Sequence, residues 1–458
     1  MTRITLDPSN LLDSRLGSPG IEARRLTGDL ADRFRAAHAE AEARRESGEA
    51  GFFALPYAQE AMEGVREVAD SFGQWFEALV VVGIGGSSLG ARAIADALLK
   101  PYWNELSPEE REHFPRLYFL ENVDPGTTKA LLGRLDLRKT LFNVVSKSGS
   151  TAETMAQYLV VEEALRAVLD EATLPGHLLF TTDPVSGALR KLAGERGIPA
   201  LEVPANVGGR FSVLSAVGLL PAGVVGVDLA ELLAGAAAMD ERCRTNVLEE
   251  NPAGLFATLL HAAHAESGRG IHVFMPYGDR LRTLGLWFQQ LWAESLGKAR
   301  DRKGNPVHVG PTPVAALGAV DQHSLLQLLM EGPQDKVVCF LRVEERDSPV
   351  EIPRSHPEVG AFSYLGGHTL DELLETERQA TAEALRRAGR PSLAISVQRL
   401  DARGLGGLIM LFQIATAYAG ELYGVDPFDQ PGVELGKVLT YGMLGREGYP
   451  LSPPGSEP

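Results

Sequence analysis

The chain reads as an α/β protein built on two doubly wound parallel sheets with helices on both faces, preceded by a helical N-terminal segment. Short β-rich runs alternate with amphipathic stretches over residues 79–203, and a second series of the same kind starts at residue 271. The length, 458 residues, also exceeds what one ordinary core holds. The first series comprises runs 79–82, 117–120, 142–145, 178–181 and 200–203. The second comprises 271–275, 307–309, 337–343 and 393–397. Strands separated by helix-length segments pair in parallel, because a parallel crossover needs a dozen or more residues.

In chain order, residues 13–48 carry Ala, Arg and Glu in a solvated helical pattern, which makes 1–50 a helical N-terminal segment. A first α/β domain is expected over 51–225. A second is expected over 226–440, opening with the Ala- and Leu-rich helical connection 224–270. A tail, 441–458, ends in a Pro-rich stretch, 451–458, expected to stay unstructured. Apolar content of 44% with 23% charged residues is that of a soluble globular protein. The net charge of −16, with no Lys/Arg run to offset it, speaks against a general nucleic-acid or anionic-membrane binder, so an anionic ligand has to be held by local groups. Cys243 and Cys339 stand far apart and indicate neither a disulfide framework nor a Cys zinc site. Residues 1–9 hold no apolar signal core. The longest apolar run, 213–227, is interrupted by Ser215 and Pro221 and falls short of the about 20 residues that span a bilayer, so a cytoplasmic location is the default.

Five stretches carry chemistry. After the run ending at Val145 come Ser146-Lys147-Ser148-Gly149-Ser150-Thr151-Ala152-Glu153-Thr154, where hydroxyls, a glycine and a lysine crowd a strand-to-helix turn. Ser150 with Glu153 has the spacing of a capping box, so a helix is expected to start there and aim its free N–H groups at an anion, best a phosphate. Gly83-Ile84-Gly85-Gly86-Ser87-Ser88-Leu89-Gly90 follows the first strand and lets backbone approach a ligand closely. It is not a dinucleotide fingerprint, because Ser88 stands where the third glycine belongs, and neither Gly297-Lys298 nor Gly436-Lys437 completes a P-loop. Gly208-Gly209-Arg210-Phe211-Ser212 puts a guanidinium before a helix expected near Ser212. Alone it reads as a surface arginine, and the functional reading is a charged fork beside a developing oxyanion.

On the helix expected over 280–297, Leu281, Leu284, Phe288, Leu291, Trp292 and Ser295 form the buried stripe. Gln290 and Glu294 share another face, with Trp287 near it. Glu294 is either a solvated helix carboxylate or a base whose proton affinity burial raises. Asp321-Gln322-His323-Ser324 opens a helix that Gly332 ends, with Asp321 as N-cap. His323 in its first turn is favoured neutral by the dipole, whether it exchanges protons or only packs. Asp429-Gln430-Pro431-Gly432-Val433-Glu434-Leu435-Gly436-Lys437 starts a helix with Pro in its first turn. By spacing alone Glu434 and Lys437 form nothing more than a surface pair. His261 and His264 lack a third ligand and read as helix-surface histidines, not a metal site.

Taken together and in this order, these blocks resemble the glucose-6-phosphate isomerase family, a two-domain sugar-isomerase fold, over roughly 80–437. The resemblance implies that Gly86, Ser87, Ser146, Lys147, Ser148 and Thr151 hold a sugar phosphate. It implies that His323, helped by Lys437, opens the sugar ring. Glu294 then moves a proton from C2 to C1 through a cis-enediol whose oxygen Arg210 and the Gly209 region stabilise, while Gln290 and Gln430 hold hydroxyls. No cofactor or metal is implied, since Arg210 and Lys437 supply the positive charge. The partners implied are a small sugar phosphate and a second copy of the chain, in a homodimer with His323 near the neighbour's site, without nucleic acid or membrane. Leu296 and Gly149 depart from animal-type members and, with the absence of long insertions, match the shorter bacterial branch. A phosphosugar-binding regulator would explain residues 146–151 but not Glu294, His323, Arg210 and Lys437 together. An amidotransferase would need an N-terminal cysteine, and the chain begins Met1-Thr2. Activity on mannose 6-phosphate, which differs in stereochemistry at C2, stays open.

Overall fold

In the computed structural model, residues 3–73, 75–346 and 349–449 are described. The Pro-rich end expected to be unstructured, 451–458, lies outside them. A short strand, β1 (Ile4–Asp7), and the helix Asp29–Glu46 precede the first sheet. That sheet holds β2 (Ala78–Val82), β3 (Arg116–Leu120), β4 (Thr140–Val145), β5 (Leu178–Thr182) and β6 (Ala200–Glu202), all parallel, in the order β3-β2-β4-β5-β6. Strands β2, β4 and β5 are buried along their whole length, as near-continuous apolar runs covered on both faces must be.

The second sheet grows from β7 (Ile271–Pro276). A two-stranded antiparallel ribbon, β8 (Lys298–Arg300) with β9 (Pro306–Val309), stands apart from it. Strands β10 (Thr312–Ala315), β11 (Lys336–Glu345) and β12 (Ser392–Arg399) complete the sheet in the order β1-β12-β11-β7-β10. All pairs are parallel except β1 with β12. Two expectations are corrected here. The run 307–309 belongs to the ribbon, because its side chains alternate between exposed and half-buried, and the sheet strand begins only after Gly310 (φ 138°) has turned the chain. The N-terminal segment is not wholly helical either, since Ile4–Asp7 caps the sheet edge.

Side-chain alternation divides the core. Leu79, Val81 and Leu141 of the first sheet share one buried cluster with Phe274, Leu341 and Ile395 of the second and with Phe412. Val80, Phe142 and Phe180 face an outer layer with Tyr158, and Val273 and Phe340 face another with Leu385. The inner layers of both sheets thus lie in one apolar interior, which holds their loops at fixed separation. Among the described residues one helix, Ala402–Tyr423, is long and apolar enough to cross a membrane, and 89% of its apolar window is buried in the fold, which makes it a core helix. A search for unbroken apolar runs passes over it because Gly404, Gln413 and Thr416 interrupt the pattern.

Candidate active site

From β2 the chain crosses to β3 on one side and returns to β4 on the other, so the sheet changes direction between β2 and β4. Crossovers that leave in opposite directions open a crevice at the carboxyl ends of those strands, where open α/β sheets bind ligands. Both Gly/Ser-rich loops sit there. A Cβ on Gly83 would lie 3.1 Å from the Val145 carbonyl oxygen, so the turn after β2 rests on the end of β4. Gly86 lies against the Gly209–Arg210 backbone. A Cβ there would be 2.6 Å from the Gly209 oxygen and 2.7 Å from the Arg210 nitrogen, so only glycine fits. Beside it, a Cβ on Gly85 would reach the Gln290 amide nitrogen at 3.1 Å. One turn thereby joins the end of β4, the Arg210 loop and the Glu294 helix.

The loop 146–151 is built from hydroxyls that face each other. Ser146 and Thr151 hydroxyls are 3.1 Å apart, Ser148 and Thr151 hydroxyls 3.4 Å, and the Ser150 N–H donates to Ser148 Oγ at 3.3 Å. This corrects the capping box expected from Ser150 and Glu153. The helix is Ala152–Arg166, its N-cap is Thr151, and no side chain caps it. Because Thr151 turns its hydroxyl to the serines, the first-turn N–H groups carry no capping side chain, which suits an anion better than a closed box does. Gly149, at φ 61°, allows the bend. Ser87 is partly exposed, and a Cβ on Gly83 would lie 3.0 Å from its Cβ.

Lys147 anchors this loop from within. Its ammonium donates to the carbonyls of Ala205 (2.6 Å) and Val207 (2.9 Å), and burial pushes its pKa down. With two of three protons engaged by carbonyls, it ties the 146–151 loop to the chain leading into Arg210.

Arg210 is 2% exposed, not the surface arginine that its sequence context alone suggests. It lies in the short 3₁₀ helix Gly209–Leu214, and the α-helix Ala216–Val224 follows, capped by Ser215 and not started near Ser212. Nε donates to Ser295 Oγ (2.7 Å), Nη1 to Gln430 Oε1, and Nη2 to the carbonyls of Pro427 (2.6 Å) and Asp429 (2.8 Å). Burial lowers its pKa, yet a guanidinium keeps its charge at any ordinary pH. Glu294 Oε1 lies 3.8 Å from Nη1, and Glu294 Oε2 accepts from the Gln290 amide at 3.2 Å. Gln290 Oε1 is buried without a partner among the described residues. The helix Arg282–Leu296 buries the expected stripe in full, and Trp287 joins that core, so the neighbours of Glu294 are Gln290 and Arg210.

Four sequence-derived residues, Arg210, Gln290, Glu294 and Gln430, thus form one set linked by hydrogen bonds and an ion pair beside the Gly86 turn. His323 and Lys437 are not tied to it. His323 lies in the first turn of the helix Gln322–Glu331, exposed, and has no side-chain hydrogen bond or ion pair among the described residues. Asp321, its N-cap, turns its carboxylate to the Leu317 N–H (2.8 Å) and the Ser324 hydroxyl (2.6 Å) in place of the helix. Lys437, on the exposed helix Glu434–Met443, holds Glu434 at 2.7 Å. His261 and His264 are half-buried against Tyr423, whose hydroxyl meets His264 Nδ1 at 2.7 Å, a correction to their reading as surface residues. Among the described residues no group of three or more His, Cys, Asp or Glu side chains is placed to hold a metal ion. Sequence reasoning missed the parts played by Ser295, Lys298 and the Asp429 carbonyl. A serine on a buried apolar stripe was the available signal, because a buried hydroxyl calls for a partner.

A family model described as phosphoglucose isomerase matches residues 63–446. A glucose-6-phosphate isomerase of Carboxydothermus hydrogenoformans is 44% identical over 440 residues, covering 96% of this chain and 93% of that one. One from Rubrobacter xylanophilus is 45% identical over 453 residues, covering 98% and 100%. Among solved structures, a hypothetical protein from Thermus thermophilus superposes with a TM-score of 0.84 at 41% identity, covering 97% of this chain and 100% of that one.

Proposed function

The chain belongs to the phosphoglucose isomerase family and interconverts glucose 6-phosphate and fructose 6-phosphate, a step of glycolysis and gluconeogenesis, and we propose that Glu294 is the base that moves the proton. The observation that carries this assignment is the Glu294 carboxylate held between the Gln290 amide and the Arg210 guanidinium, at the turn that also abuts the phosphate loop. An aldose and its ketose differ in which of C1 and C2 carries one hydrogen. One carboxylate removes the C2 proton and returns it at C1, while the O2 hydroxyl proton passes to O1 at the enediol stage and fixed positive charge faces the enediolate oxygen. Arg210, locked by four hydrogen bonds, supplies that charge with the Gly209 backbone at its side. Gly86, Ser87, Ser146, Ser148 and Thr151 hold the phosphate and Lys147 braces their loop. Gln290 and Gln430 orient hydroxyls.

Ring opening needs a proton delivered to the ring oxygen as the C1 hydroxyl loses one, the task assigned to His323 with Lys437. We place the histidine in the neighbouring subunit's site of a homodimer. The exposed Val320 (54%) and Leu328 (46%) around it support an interface there. A dianionic substrate that does not cross a lipid bilayer supports a cytoplasmic location.

The test is conversion of fructose 6-phosphate by chelator-treated protein, read by coupled NADPH formation. Glu294→Gln should lower kcat by about 10²- to 10⁴-fold while sorbitol 6-phosphate still binds. Unchanged turnover removes Glu294 from the chemistry. Mixing Glu294→Gln with His323→Ala should restore activity in mixed dimers, and no recovery after subunit exchange would argue against a shared site.

A further inference from the structure

Lys298 lies just past the helix that carries Glu294, in β8, yet its side chain folds back on that helix. All three ammonium protons are used on carbonyl oxygens: Glu294 at 2.9 Å, Ser295 at 2.9 Å and Asp429 at 3.0 Å. The side chain is 6% exposed, and its nearest carboxylate oxygen, on Asp429, is 3.4 Å away. Two of the three acceptors belong to the last turn of Arg282–Leu296, where helix carbonyls lack intrahelical partners and the dipole favours a cation. The third, the Asp429 carbonyl, is shared with Arg210 Nη2, and the next residue, Gln430, accepts from Arg210 Nη1. Close backbone contact backs the clamp, for a Cβ on Gly310 would sit 2.6 Å from Gly297 Cα.

We propose that Lys298 is a positioning residue of the isomerisation, a buried ammonium that locks the last turn of the Glu294 helix to the 427–430 segment and so sets where the Glu294 carboxylate stands. The proposal rests on Glu294 being the base. Burying an ammonium costs free energy that a well-packed apolar side chain would not, so stability alone does not call for lysine here. Gly297 already closes the helix, its N–H donating to the Ala293 carbonyl at 2.9 Å. What lysine adds is a three-way tie between backbone oxygens of two segments that each carry a site residue. Burial and the Arg210 charge lower its pKa, which Asp429 partly offsets.

Lys298→Met keeps the length and the apolar stem and removes the tie. A carboxylate left free to shift by about 1 Å should lower kcat by roughly 30- to 100-fold. The KM for fructose 6-phosphate and the inhibition constant of sorbitol 6-phosphate should stay within about twofold, because the phosphate loop is on other elements. The primary isotope effect with glucose 6-phosphate deuterated at C2 should rise, since proton transfer becomes the slow step. That ratio is independent of the folded fraction. Lys298→Arg should recover part of kcat. Should Lys298→Met fail to fold, Lys298→Arg and Lys298→Gln carry the same test. A folded variant with wild-type kcat and isotope effect overturns the proposal. Glu294→Gln run in parallel separates the two readings: if it is inactive while Lys298→Met is normal, only the positioning role fails, and if it is active, the base assignment fails first.

Discussion

Gly86→Ala tests whether the turn after β2 has to touch the Arg210 loop. The added methyl would lie 2.6 Å from the Gly209 oxygen and 2.7 Å from the Arg210 nitrogen, both backbone atoms that no rotamer change can move. The nearest atom, the Gly209 carbonyl carbon, would be 2.4 Å away and ordinary contact begins near 3.4 Å, so the two loops have to separate by roughly 1 Å, an overpacking cost of about 1 to 3 kcal/mol. The separation falls between the proposed phosphate cradle and the guanidinium proposed to face the enediol, so on that reading the substrate's two ends are held at the wrong distance. A misplacement near 1 Å costs on the order of 10²-fold in rate, and kcat/KM should drop by about that factor. The assay is coupled turnover of fructose 6-phosphate beside a thermal melt. Gly208→Ala is the control, since its Cβ would meet the Phe428 oxygen at 3.8 Å, an ordinary contact. Wild-type kcat/KM in Gly86→Ala, or an equal loss in Gly208→Ala, would refute the argument.

Arg210→Lys replaces a planar fork with a point charge that cannot reach Ser295, Gln430 and two carbonyls at once, so kcat/KM should fall by roughly 10²- to 10³-fold although the net charge is unchanged. A loss under about fivefold in steady-state kinetics would show that charge alone suffices. His272 is fully buried and accepts the Trp292 indole N–H at 3.0 Å, and burial pushes its pKa down to about 3. The unfolded chain regains a value near 6.5, so between the two it binds the proton that the native state refuses. The stability from this group is therefore complete above about pH 6.5 and drains away as pH falls toward 3, reaching about 2 kcal/mol lost at pH 5. In urea titrations the penalty of His272→Asn should shrink by that amount between pH 7.5 and 5, and a pH-independent penalty would contradict it.

The loops were legible because strand-to-helix turns restrict their own composition. Glycines and serines follow the apolar runs at the ends of β2 and β4, and the turn after β2 rests on the end of β4 at the switch point between them. Local rules failed where a longer-range partner overrode them. Ser150 and Glu153 have capping-box spacing, but Thr151 takes the N-cap and the hydroxyls pair with one another. Residues 307–309 alternate like a strand of the sheet but pair locally with Lys298–Arg300.

By itself, the order of residues determined that this is a parallel α/β chain with Gly- and Ser-rich loops at two strand ends and a separate set of titratable groups. Hydrophobic period and turn chemistry are local, and they survive without knowledge of the partner. Only the tertiary structure decided that Arg210 is buried and that Ser295, Lys298 and the 427–430 backbone form the frame around Glu294. Those contacts join residues up to 220 positions apart. A charge can be kept in a dry interior only where several such distant acceptors converge, and no local pattern in the sequence records that convergence.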